Sequence, residues 1–81
     1  MTEAQILEQL KTILAENFEI DPARIVPGAN LFEDLDLDSI DAVDLAIKLQ
    51  ELIGKRIKPQ EFKNIRTVAD VIATVRQLLA T

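Results

Sequence analysis

The residues with the greatest potential for chemistry lie in residues 34–45, where a serine is surrounded by carboxylates. Acidic residues and leucines alternate up to Asp38. From Ser39 onward, apolar residues recur at intervals of three and four, the spacing of one face of an α-helix. The pattern predicts an irregular acidic segment that leads into a helix, with the Ser39 hydroxyl at the junction.

A nucleophilic role for Ser39 lacks the groups that would activate it. A serine hydroxyl needs a general base, and the sequence contains no His and no Cys. Lys48 lies about 13 Å further along the predicted helix, and no glycine-rich nucleophile elbow surrounds the serine. Catalysis by Ser39 is therefore disfavoured. Without Cys, any thiol chemistry must come from an attached group or a partner.

A calcium loop is a second possibility for this segment. Asp34, Asp36 and Asp38 match the first three ligand positions of an EF-hand. The glycine expected at the sixth position is Ser39, and the glutamate expected at the twelfth is Leu45. The sequence therefore disfavours an EF-hand.

Two roles for Ser39 remain open from these residues alone. Serine is a preferred helix N-cap, a role that Asp38 could also fill, and such a cap contributes about 1 kcal/mol. Alternatively, the hydroxyl could accept a phosphate-linked group, because a helix N-terminus favours anions. Repulsion from each neighbouring carboxylate would cost only about 1 kcal/mol or less in water.

The rest of the chain predicts an all-α fold, a small four-helix bundle with three longer helices, one short third helix and a long first loop. The first helix is predicted over residues 2–17, with a capping box from Thr2 to Gln5 and its C-cap near Asn17. The second covers residues 39–53 and ends at Gly54.

The third helix is predicted to begin at Pro59 and to cover residues 59–64. Thr67 caps the last helix, with Asp70 at the capping-box position.

In the first loop, residues 18–38, Asn30 is predicted to cap a short helical turn, and a strand over residues 34–38 is a weaker alternative. The apolar residues predicted to point inward from this loop are Phe18, Ile20, Ile25, Val26, Leu31, Phe32, Leu35 and Leu37. On the second helix, we expect Ile40, Ala46 and Leu49 in the core, whereas Val43 and Ile47, four apart, could belong either to the core or to an apolar strip that contacts partners.

Composition limits the class of protein. The 81 residues, 1–81, are expected to form one domain, and three Phe with no Tyr or Trp predict an aliphatic core. The net charge of −5 disfavours nucleic acid and favours basic partners. No apolar run approaches the roughly 18 residues of a membrane span, and no signal-peptide pattern is present. We expect a cytoplasmic protein.

Residues 35–41, Leu-Asp-Leu-Asp-Ser-Ile-Asp, resemble the prosthetic-group attachment motif of acyl carrier proteins. That motif has an Asp-Ser-Leu/Ile core at the start of the second helix. The resemblance extends over the whole chain, through its length, the long first loop, residues 32–35 before the motif, Gly54 and the Thr67-capped last helix.

The resemblance implies a carrier protein that is not an enzyme and binds no metal. It implies that Ser39, next to Asp38, receives 4′-phosphopantetheine from coenzyme A, and that the thiol of this arm carries acyl groups as thioesters. Acidic residues and an apolar strip, mainly on the second helix, would meet basic patches on partner enzymes. The residues assigned to partner binding are Asp36, Asp41, Val43, Asp44, Ile47 and Glu51.

The implied partners are a phosphopantetheinyl transferase (holo-acyl-carrier-protein synthase), a ketosynthase, an acyltransferase and other acyl-processing enzymes of fatty-acid or polyketide-type synthesis. We expect a monomer. Family members often shelter the acyl chain between their helices, and the candidate lining residues here are Phe18, Phe32, Leu49 and Phe62.

Alternative functions remain open from the sequence. An aminoacyl or peptidyl carrier would bear the same arm, and a helical docking adaptor would bear none. The basic segment 48–66 also departs from the acidic third helix of bacterial fatty-acid carriers. It is either an ordinary charged surface or a sign of a specialised partner set.

Overall fold

Residues 1–80 fold into four α-helices, as the sequence predicts. The computed structural model describes residues 1–80, excluding the side chain of residue 59. The helices are α1 (Glu3–Phe18), α2 (Ser39–Ile53), α3 (Pro59–Lys63) and α4 (Val68–Leu79), and a short 3₁₀ turn, Pro22–Arg24, lies between α1 and α2. Within residues 1–80 there is no strand, only an isolated bridge between Asn30 and Thr67. The strand alternative for residues 34–38 is therefore wrong.

The predicted capping residues define the helix ends. Thr2 Oγ1 accepts a hydrogen bond from the Gln5 amide at 3.2 Å, which confirms the first capping box. Gly54 follows α2 in the left-handed region, with φ of 67°, a conformation that glycine adopts without steric cost. α1 extends past the predicted C-cap at Asn17 and ends at Phe18, with Glu19 in the left-handed region at φ 56°.

The capping box of α4 also holds a carboxylate whose charge matters. Thr67 Oγ1 accepts from the Asp70 amide at 3.2 Å, as predicted. One Asp70 carboxylate oxygen accepts in return from the amides of Arg66 and Thr67, both at 3.0 Å. These two backbone hydrogen bonds, that of Arg66 first, lower the pKa of Asp70 because they stabilise the charged form.

The core is aliphatic, and α1 packs against both α2 and α4. Leu10 and Leu14 of α1, Leu45 of α2 and Val71 and Val75 of α4 are fully buried. Burial of each such side chain contributes about 1.5–3 kcal/mol relative to exposure. Along residues 1–80, no helix combines the length and apolar character that a transmembrane segment requires.

The long first loop is held against the start of α4 by backbone hydrogen bonds. The Leu31 amide donates to the Arg66 carbonyl at 2.8 Å, and the Val68 amide donates to the Ala29 carbonyl at 3.0 Å. Asn30 caps the turn after it, as predicted, since its Oδ1 accepts from the amides of residues 32 and 33 at 2.9 and 3.0 Å. The Leu37 amide donates to the Leu31 carbonyl at 3.0 Å, so the end of the loop, just before α2, is tied to the same point.

Two residues predicted to be buried are exposed. Val26 is 50% exposed, because a turn in which its carbonyl accepts from the Ala29 amide at 2.9 Å directs it away from the core. Ile40 is 78% exposed. The buried face of α2 consists of Ala42, Leu45 and Leu49. Residues two apart on an α-helix point about 200° apart around its axis, so Ile40 lies on the side of α2 opposite Ala42. Ala46, also predicted in the core, is half-buried.

Candidate functional site

Ser39 is the first residue of α2, and the cap of that helix is Asp38. Asp38 Oδ1 accepts from the Asp41 amide at 2.9 Å, and Asp41 Oδ2 accepts from the Asp38 amide at 3.2 Å. The two carboxylates thus form a reciprocal capping box. Of the two candidates for the cap that the sequence left open, the structure selects Asp38.

The Ser39 hydroxyl is consequently not used by the fold. The residue is exposed, and its Oγ makes no hydrogen bond to any other part of residues 1–80. The amides of Ser39 and Ile40 likewise donate to none of the described groups. An accessible alcohol therefore lies next to two free N–H groups at the positive end of a 15-residue helix, a position that favours a phosphate ester.

Carboxylates precede and follow this alcohol along the chain. Asp36, Asp38, Asp44 and Glu51 are exposed, and Asp41 is half-buried. This set of five, the acidic face, extends from the end of the loop along α2.

Asp36 has φ of 58°, in the left-handed region. An L-residue other than glycine is strained there, although aspartate tolerates it better than most.

An apolar strip lies along the same side of α2. Ile40, Val43 and Ile47 are 78%, 61% and 47% exposed, and they are spaced three and four residues apart on one helix face. Exposed apolar side chains in a contiguous row are typical of protein interaction sites. The sequence left Val43 and Ile47 open between the core and such a strip, the resemblance favoured the strip, and Ile40 was assigned to the core.

A groove separates α2 from α3 and reaches Ser39. Its volume is about 610 Å³. Its apolar wall is formed by Phe32 from the loop, by small and branched residues of α2, and by Phe62 from α3. The described residues that line it are Phe32, Ser39, Ala42, Val43, Ala46, Ile47, Gln50, Ile57, Lys58, Phe62, Lys63 and Arg66. Two of the four predicted lining residues, Phe18 and Leu49, are not among them.

Three cationic residues, Lys58, Lys63 and Arg66, line this groove, and none of its described lining residues is acidic. Sequence reasoning found a basic segment but not this convergence. The sequence carried no signal for it, because Lys58 and Arg66 lie outside the helix Pro59–Lys63 and helical spacing does not relate them. Lys55 differs from them, since its Nζ donates to the Leu78 carbonyl at 2.7 Å.

The acidic residues of the EF-hand-like pattern do not converge. Asp34 Oδ2 accepts from the Asn30 amide at 2.7 Å within the loop, and Asp38 is engaged in the cap of α2. Across residues 1–80, no group of three or more acidic side chains is placed to hold a metal ion.

Comparison with known proteins gives concordant results. A family profile described as "Phosphopantetheine attachment site" matches residues 8–75. The chain is 69% identical to acyl carrier protein 2 of Ralstonia nicotianae over 99% of both chains. It is 38% identical to the acyl carrier protein of Thermosynechococcus vestitus over 99% of both. It is also 31% identical to the meromycolate extension acyl carrier protein of Mycolicibacterium smegmatis, over 95% of this chain and 78% of that one.

The fold agrees with the sequence comparisons. The crystal structure of the acyl carrier protein of Thermotoga maritima superposes with a TM-score of 0.86 at 27% identity, covering 96% of this chain and 91% of that one. The chain belongs to the acyl carrier protein family. It is a carrier rather than an enzyme, and its prosthetic group is covalently attached 4′-phosphopantetheine.

Proposed function

We propose that Ser39 bears the 4′-phosphopantetheine arm. The observation that carries this assignment is the exposed Ser39 hydroxyl at the first position of α2. The fold makes no use of it, because Asp38 provides the cap. Ser39 is also the only serine in the sequence.

The surroundings of Ser39 fit a phosphodiester. The free amides of Ser39 and Ile40 lie at the helix N-terminus, where they can donate to phosphate oxygens. The carboxylates of Asp38 and Asp41 each accept a backbone hydrogen bond, so part of their charge is compensated. When bound, the arm supplies a thiol that holds acyl groups as thioesters, which a chain without Cys lacks.

The acidic face and the apolar strip are proposed as the docking surface for partner enzymes. Carboxylates of one sign accelerate encounters with basic surfaces, and the strip of Ile40, Val43 and Ile47 supplies apolar area for the contact itself. The proposed partners are a phosphopantetheinyl transferase, a ketosynthase and an acyltransferase, served by a monomeric carrier in the cytoplasm.

The proposed pathway is fatty-acid or polyketide-type synthesis. The relative from Mycolicibacterium smegmatis is named for meromycolate extension, which supports a role in the lengthening of acyl chains. Enzymatic loading of the modified protein with acyl and with aminoacyl donors separates this proposal from an aminoacyl carrier. Efficient loading with aminoacyl groups alone would contradict it.

Incubation of the protein with coenzyme A and a broad-specificity transferase, followed by intact-mass measurement, tests the assignment of Ser39. We expect one phosphopantetheinyl unit on the wild type and none on Ser39→Ala. Thr12→Ala, which removes another exposed hydroxyl from α1, is the matched control and should be modified like the wild type. Equal modification of Ser39→Ala would refute the assignment.

A further inference from the structure

We infer that the groove between α2 and α3 selects acyl groups that carry a negative charge, such as the half-thioester of a dicarboxylic acid. This inference deepens the proposed function and rests on it, because the cargo must be tethered at Ser39. The observations that carry it are the three cations that line the groove, the absence of acids among its described lining residues, and the presence of Ser39 in the same lining.

The charge of the groove is opposite to that of the protein. The chain has a net charge of −5 and nine Lys and Arg residues in all. Three of the nine, Lys58, Lys63 and Arg66, line this one groove. Its remaining walls are largely apolar, with Phe32 and Phe62 among them. Apolar walls with basic residues along them suit a ligand that combines a hydrocarbon body with an anionic group.

The cations are distributed along the length of the groove. Gln50 Oε1 accepts from the Ile57 amide at 2.8 Å, which holds Lys58 near the C-terminal end of α2. Gln50 is about 16 Å along the helix axis from Ser39. At the other end, the Arg66 carbonyl accepts from the Leu31 amide, and the Leu31 carbonyl accepts from the Leu37 amide, two residues before Ser39. An anionic group can therefore meet a cation at different distances from the tether.

The lysines are the better candidates for contact with cargo. Arg66 donates to the carbonyls of Lys63 and Ile65 at 2.7 and 3.1 Å, so its guanidinium also closes the C-terminal end of α3. Lys58 and Lys63 are exposed, and the side-chain amine of neither donates to another described group. Their substitution should therefore leave the fold intact.

The experiment compares two cargoes that differ only in a terminal carboxylate. A transferase loads the wild type from hexanoyl-coenzyme A or adipoyl-coenzyme A, and intact mass confirms loading. Cleavage of each thioester by hydroxylamine is then timed, relative to the same acyl-coenzyme A free in solution. We expect the adipoyl thioester to be protected about two- to five-fold more than the hexanoyl thioester at low salt, the range of exposed ion pairs. High salt should remove the difference.

The double variant Lys58→Gln, Lys63→Gln should protect the hexanoyl thioester like the wild type and lose the extra protection of the adipoyl thioester. Arg56→Gln removes an exposed cation of the same segment that does not line the groove, and it should behave like the wild type. Equal protection of the two thioesters in the wild type, or extra protection of the adipoyl thioester that persists in the double variant, would overturn this inference and leave the proposed function standing. A protein that accepts no acyl-phosphopantetheine at all would overturn the proposed function together with it.

Discussion

Substitution of two adjacent residues separates the structural cap of α2 from the proposed attachment point. Asp38→Ala removes the carboxylate that accepts from the Asp41 amide at 2.9 Å. Loss of such a cap costs about 1 kcal/mol, within a range of about 0.5–2 kcal/mol. Ser39→Ala removes a hydroxyl that makes no hydrogen bond within residues 1–80. Because alanine has the higher helix propensity, this change should be neutral or stabilising by up to about 0.5 kcal/mol.

Urea and thermal unfolding of the unmodified protein measure the difference. The sequence has no Trp and no Tyr, so far-ultraviolet circular dichroism of the helices is the appropriate signal. A change of 1 kcal/mol shifts Tm by about 4–8 °C in a domain of this size. We therefore expect a fall of that order for Asp38→Ala and little change for Ser39→Ala. If Ser39→Ala were destabilised as much as Asp38→Ala, the serine would be a structural cap, and its proposed availability for modification would be refuted.

Three further predictions concern single carboxylates. Asp36→Gly should stabilise the fold by about 0.5 kcal/mol, because relief of the left-handed strain outweighs the extra conformational entropy that glycine gives the unfolded chain. The control Asp44→Gly, the same change within a helix, should destabilise the fold by about 1 kcal/mol. Equal effects of the two changes on the free energy of urea unfolding would exclude strain at Asp36. Asp70→Asn should cost about 1 kcal/mol at neutral pH. The pKa of Asp70 is lower in the folded protein than in the unfolded chain. The cost of the substitution should therefore be fully present above the ordinary aspartate pKa near 4 and vanish as the pH falls through the folded pKa. A difference in unfolding free energy that does not change with pH would contradict this prediction. Asp44→Asn should slow modification by the transferase at low salt more than at high salt, whereas Glu16→Gln, an exposed acid on α1, should not; salt-independent slowing would exclude steering.

The helix ends could be predicted because their determinants are local. A capping box joins residues three apart, so Thr2 with Gln5 and Thr67 with Asp70 are visible in the sequence without knowledge of the fold. Gly54 similarly marks the end of α2 by its own backbone freedom. The choice between Asp38 and Ser39 as the cap remained open, since both residue types serve, and only the hydrogen bonds decide it.

The exposure of Ile40 could not be predicted for a physical reason. α2 carries two apolar rows with identical spacing, Ile40–Val43–Ile47 and Ala42–Leu45–Leu49. Periodicity shows that each row lies on one face of the helix, but it does not show which face meets the core. That choice depends on where α1 packs, and α1 meets the row that contains Leu45.

The groove between α2 and α3 could not be predicted from the sequence, for a similar reason. Its wall combines Phe32 from the loop, Ala46 from α2 and Phe62 from α3. These residues are far apart in the sequence, and they meet because hydrogen bonds fix the loop to the start of α4 and Gln50 to the segment before α3. The sequence showed that residues 48–66 are basic, and only the fold shows which of these cations share one groove.

Localisation of the prosthetic group by fragmentation of the modified protein is the most direct measurement. The protein is incubated with coenzyme A and a transferase, digested, and sequenced by tandem mass spectrometry. The result expected is a phosphopantetheinyl mass on the fragment that contains Ser39, the only serine of the chain, with unmodified threonines elsewhere. A phosphopantetheinyl group on any other residue, or none at all, would contradict the role assigned to the hydroxyl at the start of α2.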